Sequence, residues 1–261
     1  MTLVMNYGVS GLFAISASDS RRVTKNYLYD EATGEFTESD LPPTMDDEKY
    51  TKSSRLSYFT LLSIGGIAEL GEYIKDELTK EVSVEYDIKD CKDALERVIA
   101  RARENKDGPE WLNFLDKADS VKIVIIGFCK DTKKVGQVSF VPEDGVSLTL
   151  PEAGTGIWSI MPPVKKYHEA GSKLMNVPFT EEDIANKTPD ETSRYMRQKV
   201  LNHLAGLHGM ISYFHPFEVS SDINAHVLAL EESGKIEWYF YEEDLEKLHD
   251  LYRKPREESE C

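Results

Sequence analysis

The stretch Val121-Lys122-Ile123-Val124-Ile125-Ile126-Gly127-Phe128 constrains the fold more than any other part of the chain. Apart from Lys122, it is free of polar side chains at both odd and even positions. A strand sends successive side chains to opposite faces of its sheet, so a strand apolar at both parities needs cover on both faces. The run is short for a buried helix and rich in β-branched residues, which predicts a central strand ending at Cys129. The start of the chain points the same way. Residues 3–7 and 12–18 are short and mostly apolar, and Gly8-Val9-Ser10-Gly11 between them predicts the turn of a β-hairpin.

Other segments carry helix periodicity instead. Ile67, Leu70, Ile74 and Leu78 recur at helical spacing directly after Gly65-Gly66, and Cys91, Ala94, Leu95, Val98 and Ile99 share one face over residues 90–105. Met196, Val200, Leu204, Leu207 and Ile211 form a third stripe after Thr188-Pro189-Asp190-Glu191. That tetrapeptide is a helix start: Thr188 caps, Pro189 suits the first helical position, and Glu191 completes a capping box. Leu245, Leu248 and Leu251 predict a C-terminal helix, followed by a charged, frayed tail over 254–261. Further strands are predicted over 58–64, ended by the glycine pair, and over 135–141, 146–150, 223–230 and 235–240. Helices with one apolar stripe and strands covered on both faces combine as an α+β sandwich with helices outside stacked sheets. Residues 1–261 read as one domain.

One segment departs from this pattern. Residues 30–48 hold eight acidic side chains, no Lys or Arg, and the breaker pair Pro42-Pro43. They predict a surface excursion with a small hairpin turning at Ala32-Thr33-Gly34, which serves either as a solvated loop or as a partner-binding one.

Composition excludes several classes of function. The 31 basic and 47 acidic side chains leave a net charge of -16, which opposes binding to nucleic acid or anionic membrane. No window approaches the roughly 20 apolar residues of a membrane span. Cys91, Cys129 and Cys261 form neither a CxxC pair nor a disulfide framework, and the N-terminus lacks the charged-then-apolar pattern of a secretory signal. A cytoplasmic location is the expectation.

Chemistry-bearing positions are few. Thr2 follows Met1 directly; with Met1 removed it would carry a hydroxyl and a free α-amine, a nucleophile with a built-in base. Otherwise it simply begins an edge strand. Gly65-Gly66 at a helix start is either a tight turn or a nest of backbone N–H groups able to hold a developing oxyanion. Ala153-Gly154-Thr155-Gly156 supplies small residues where the backbone needs room. His203 and His208 do not share a helix face as a metal pair would, and Cys91 reads as a small core residue. No metal or cofactor is expected.

Taken in order, these islands resemble the proteasome β-subunit family of N-terminal nucleophile (Ntn) hydrolases. Thr2 opens a strand, and Ala17-Ser18-Asp19-Ser20-Arg21 is similar to the family's A-x-D-x-R. Lys52-Ser53-Ser54-Arg55-Leu56 is similar to its K-x-x-x-L, with Lys49 as a rival for the lysine. Ile64-Gly65-Gly66-Ile67-Ala68-Glu69 resembles its glycine turn into the first helix, and Ala153-Gly154-Thr155-Gly156 its x-G-S-G. Ser220-Ser221-Asp222-Ile223-Asn224 echoes a late D-x-x-S-G-G with altered spacing, Asp222 standing for the aspartate and Asn224 for the serine. Asp19 and Lys52 lie 33 residues apart, farther than in the family, and the acidic excursion accounts for the surplus.

The resemblance implies a four-layer αββα sandwich and a peptidase acting on peptide or protein substrates through an acyl-threonine. Within it, Thr2 is the nucleophile, Asp19 orients Lys52, Lys52 tunes the amine, the Gly66 N–H faces the oxyanion, and Thr155 and Asp222 fix the amine. It also implies assembly into a homo-oligomeric ring. Two alternatives share the fold: a noncatalytic structural or binding subunit, and a transpeptidase in which an amine replaces water.

Overall fold

A computed structural model describes residues 3–24, 27–30, 32, 35–38, 44–47, 50–105, 107–117, 120–161, 173–180, 185 and 187–241. The fold is mixed α+β, built on two five-stranded antiparallel sheets. The first sheet contains β1 (Val4–Val9), β2 (Phe13–Asp19), β12 (Gly156–Met161), β13 (Ile223–Leu230) and β14 (Ile236–Tyr241), in the order β12-β1-β2-β13-β14. The second contains β7 (Ser53–Arg55), β8 (Thr60–Gly66), β9 (Val121–Phe128), β10 (Val135–Val141) and β11 (Gly145–Thr149), in the order β11-β10-β9-β8-β7. The Val121–Phe128 run is thus the middle strand of its sheet, as its two-faced apolar character predicts.

Both sheets are covered on both faces. Leu3, Met5, Phe13, Ile15, Ala225 and Val227 turn one way and pack against Met196, Val200, Leu201, Leu204 and Ala205 of the long helix α3 (Pro189–Phe214). On the second sheet, Leu62, Ile123, Ile125, Val138 and Phe140 pack against α1 (Ala68–Glu81) and α2 (Ile88–Glu104). The remaining faces meet: Ala14 and Leu228 of the first sheet share a cluster with Leu61, Ile126, Phe128 and Val135 of the second. Gly8 makes this approach possible, since a Cβ there would lie 2.6 Å from Val135 Cγ1.

Helix starts follow the local code. Thr188 and Glu191 form the expected capping box of α3, with Pro189 in the first turn. A second box goes unread in the sequence: Asp87 accepts from the Lys89 and Asp90 backbone, and Asp90 returns the bond to the Asp87 N–H. It moves the start of α2 from the expected residue 90 to Ile88.

Other expectations shift as well. The β1–β2 turn uses Ser10 to Leu12 with Gly11 at φ +85°, while Gly8 lies inside β1. Gly65 and Gly66 complete β8 rather than ending it early. Strand β12 had no expectation at all. The acidic segment 30–48 pairs with the residues just before it in two small ribbons, β3 (Arg22–Thr24) with β6 (Thr44–Asp47) and β4 (Tyr27–Asp30) with β5 (Glu35–Glu38), the second being the anticipated hairpin. The C-terminal helix expected around Leu245, Leu248 and Leu251, and the tail after it, lie outside the described residues. No helix among the described residues is long and apolar enough to cross a membrane.

Asp87 carries a measurable share of this architecture, because its second oxygen accepts from the Lys130 N–H at 2.8 Å and ties α2 to the end of β9. Burial pushes its carboxyl pKa up, but the backbone donors of Lys130, Asp90 and Lys89 together hold it below the ordinary aspartate value. A depressed carboxylate stabilises the fold above its unfolded pKa and loses that contribution as pH falls through the folded one. Asp87→Ala is therefore expected to cost about 1–2 kcal/mol at neutral pH. Urea unfolding should find the difference shrinking as the pH drops below the ordinary carboxylate range.

Candidate functional site

At one end of the first sheet, an aspartate and a lysine are buried against each other. Asp19 is the last residue of β2, and Lys52 immediately precedes β7. Lys52 Nζ donates to Asp19 Oδ1 at 2.6 Å, and the two side chains are 1% and 0% exposed. The carboxylate is saturated with donors. Oδ1 also accepts from the Leu3 N–H at 3.0 Å, and Oδ2 accepts from the Arg21 N–H at 3.1 Å and the Ser220 N–H at 3.4 Å. The Leu3 carbonyl accepts in turn from the Asp19 N–H at 3.2 Å, which extends the β1–β2 ladder to the start of the described chain.

A buried charge is tolerated only when paired and hydrogen-bonded, and both conditions hold here. Burial pushes the Lys52 pKa down; the Asp19 carboxylate raises it by charge and hydrogen bond, and the Arg21 cation lowers it again. The net position is below that of an ordinary lysine.

Gly66 belongs to the same end. The Ile64 N–H donates to the Lys52 carbonyl at 3.0 Å, and the two-residue alternation of a strand puts the Gly66 N–H on that side too. Gly66 has φ +108°, and a Cβ would lie 2.3 Å from the Ser120 carbonyl oxygen; only glycine fits. Asp222 is also nearby and exposed: it precedes Ile223, which is paired with Asp19, and its carboxylate accepts from the Ser221 hydroxyl at 3.3 Å.

The rim is charged. Arg22 reaches Glu69 at 3.1 Å and Glu72 at 3.3 Å on α1, and its guanidinium lies over the Tyr50 ring at 5.5 Å. Burial and the Glu72 carboxylate push the Tyr50 hydroxyl up to about 12.

Thr155 does not join the group. It sits at the start of β12, where Gly156 pairs with Val9, whereas Met161 pairs with Val4 near Asp19. From Gly156 to Met161 the strand runs roughly 17 Å at about 3.4 Å per residue, so Thr155 is at the opposite end of the sheet. Its hydroxyl donates to the Glu152 carbonyl at 2.6 Å in a local turn. The proposed role of Thr155 in fixing the amine is therefore corrected. Thr2 and Lys49 lie outside the described residues. The structure thus brings Asp19, Lys52, Gly66 and Asp222 to one end and sets Thr155 apart.

Several residues at the site had no expectation attached. Ser220 donates its N–H to Asp19, while its hydroxyl accepts from the Ser20 N–H at 3.1 Å and donates to the Asp222 carbonyl at 3.0 Å. Behind the ion pair runs a polar seam between the sheets. Ser18 Oγ donates to Asn224 Oδ1 at 3.2 Å; its single proton is then used, so Ser53 donates in the 3.0 Å Ser18–Ser53 bond. Ser63 donates to Asn6 Oδ1 at 2.8 Å, which makes Ser16 the donor in the 2.7 Å Ser16–Ser63 bond. Asn6 Nδ2 then donates to Ser159 at 3.3 Å. One signal was present: Ser16 and Ser18 occupy alternate positions in an otherwise apolar strand, the mark of a polar row on one face.

No protein-family model matches the chain, and no curated protein matches it either.

A double-mutant cycle measures the ion pair. Lys52→Met leaves the Asp19 carboxylate buried without its cation, and Asp19→Asn leaves the ammonium without its anion. Each is expected to cost about 3–5 kcal/mol in chemical unfolding. The double variant should cost less than the sum, with coupling of roughly 1–3 kcal/mol.

Proposed function

We propose that the chain is an N-terminal threonine amide hydrolase, a peptidase of the proteasome β-subunit-like Ntn kind with a four-layer αββα arrangement. The observation that carries this reading is the Asp19–Lys52 pair buried against the Leu3 N–H. Leu3 is bonded to Thr2, and consecutive Cα atoms are only about 3.8 Å apart, so the pair acts within one residue of the proposed nucleophile.

In this reaction the free α-amine of Thr2 takes the proton from the Thr2 hydroxyl, directly or through a water. The hydroxyl oxygen attacks the substrate carbonyl, and the oxyanion meets the Gly66 N–H. The amine returns the proton to the leaving nitrogen, which leaves an acyl-threonine for water to hydrolyse. An α-amine titrates at roughly 7.7–8.0 unperturbed, and a nearby cation lowers that value and favours the neutral base. Lys52 is suited to this because Asp19 fixes its ammonium by charge and hydrogen bond. Three sequence islands in family order, around Asp19, Lys52 and Gly66, support the same reading, as do two antiparallel sheets flanked by helices.

A second reading, a noncatalytic subunit, is favoured by one observation. Asn224, the stand-in for the late serine, accepts from Ser18 in the inter-sheet seam and is committed to structure there.

Intact mass separates the readings. Protein freed of Met1 should take up one equivalent of a peptide electrophile that reacts with both hydroxyl and amine, and protein retaining Met1 should take up none. A Met1-free chain that forms no adduct sinks the hydrolase. For an active protein, kcat/KM should rise with pH as the amine loses its proton. Lys52→Arg, which keeps the positive charge, should leave the midpoint of that rise nearer to wild type than Lys52→Met, which moves it to higher pH.

A further inference from the structure

A helix on the outside of a sandwich turns one apolar stripe to the core and shows charged side chains to water. Helix α2 does so: its exposed positions include Lys89, Asp90, Asp93, Glu96, Arg97 and Arg101. Helix α3 does not. Beyond Arg194 its exposed positions are Tyr195, Gln198, Asn202, Met210, Tyr213 and Phe214, none of them charged. Acid is missing from the whole stretch: no Asp or Glu occurs from Thr192 to Phe217, although 47 of the 261 residues are acidic.

The apolar part of this surface lies at the carboxyl end of the helix. Met210, Tyr213 and Phe214 are three and four residues apart and share a face. Tyr213 meets Phe214 edge to face at 5.4 Å, and Phe217 follows just past the helix end. These four side chains are 40% to 68% exposed. At roughly 200 Å² for a side chain of this size, that leaves about 400 Å² of apolar surface on one copy. Two such patches in contact cover about 800 Å², the apolar centre of an interface of about 1,600 Å² with a polar rim. Gln198 and Asn202, exposed on the same helix and joined by a 2.8 Å hydrogen bond, are suited to that rim.

Charge names the occupant. Two molecules of net charge -16 repel each other, and a stretch free of carboxylates is where they can touch at least cost. Nothing here calls for a charged partner, because Arg194 is paired with Asp190 of its own helix and Arg197 lies 3.8 Å from Glu231. We infer that α3 is the interface of a two-fold homodimer, with Met210, Tyr213, Phe214 and Phe217 of one copy packed on the same residues of the other. Such a contact closes at two copies, unlike the head-to-tail contact that builds a ring. It borders the candidate site: the Arg21 N–H donates to Asp19, and the Arg21 guanidinium donates to the Phe217 carbonyl at 3.1 Å. The dimer stands independently of the hydrolase reading.

Sedimentation velocity of the full chain between about 1 and 300 µM tests the inference. Wild type should pass from monomer to dimer over that range, as expected of an interface near the small end of specific complexes. Phe214→Glu and Tyr213→Lys change exposed positions in opposite charge directions, and each should raise Kd at least about tenfold. Val84→Glu adds the same charge as the first variant at an exposed residue between α1 and α2, and should dimerise as wild type does. Raising salt from about 50 to about 500 mM should tighten the dimer severalfold, since screening weakens the repulsion between two acidic chains. A wild type that stays monomeric throughout overturns the inference, as does association that the α3 variants leave intact or that salt weakens. Should one α3 variant not fold, the other decides.

Discussion

Removing two charges from water is among the costliest steps a fold can take, and this chain takes it at Asp19 and Lys52. The carboxylate is tolerable because four donors converge on it from separate parts of the chain. Leu3 comes from the amino-terminal strand, Arg21 from the residues after β2, Ser220 from the approach to β13, and Lys52 from the start of β7. Satisfying one buried anion therefore fixes the meeting point of both sheets and the loop between α3 and β13. The same convergence creates the candidate site, because the residues needed to neutralise Asp19 are gathered beside Leu3.

The layer between the sheets changes character along its length toward that point. At the end near the Ser10–Leu12 turn it is apolar and tight, with Gly8 and Ala14 small enough to admit Val135, Ile126 and Phe128. Toward Asp19 it becomes a hydrogen-bonded row of Asn6, Ser16, Ser63, Ser18 and Ser53. Apolar contacts are indifferent to small slips, whereas each hydroxyl in the row has one proton and one partner to give it to. The polar end thus sets the register of one sheet on the other where Lys52 must meet Asp19. The apolar end supplies burial.

What could be read from residues alone was local. The Thr188–Glu191 box, the central strand ending at Phe128 and the small hairpin around Ala32 all depend on neighbours a few positions apart. Cys91 read as core, and it is: burial pushes its thiol up to about 12. Where local rules had two solutions, the reading slipped. Gly8 and Gly11 are both turn residues by type, and only the closeness of Val135 assigns Gly8 to the strand. Asp87 and Asp90 make the same kind of box as Thr188 and Glu191, and the signal that announced it, Ile88 three positions before Cys91 on the same buried face, went unread.

The sequence by itself determined most of the long strands and the three long helices of the described residues, that the sheets need cover on both faces, and that Thr2, Asp19, Lys52 and Gly66 stand in a suggestive order. The tertiary structure alone decided which of these side chains meet. Asp19 and Lys52 are 33 residues apart and Asp19 and Ser220 are 201 apart, and no local propensity encodes a contact over such distances. Thr155 looked equally suited in the sequence, but the pairing of β12 with β1 carried it to the far end of the sheet. Side-chain type states what chemistry a residue can do; the hydrogen-bonded register between strands sets where it can do it.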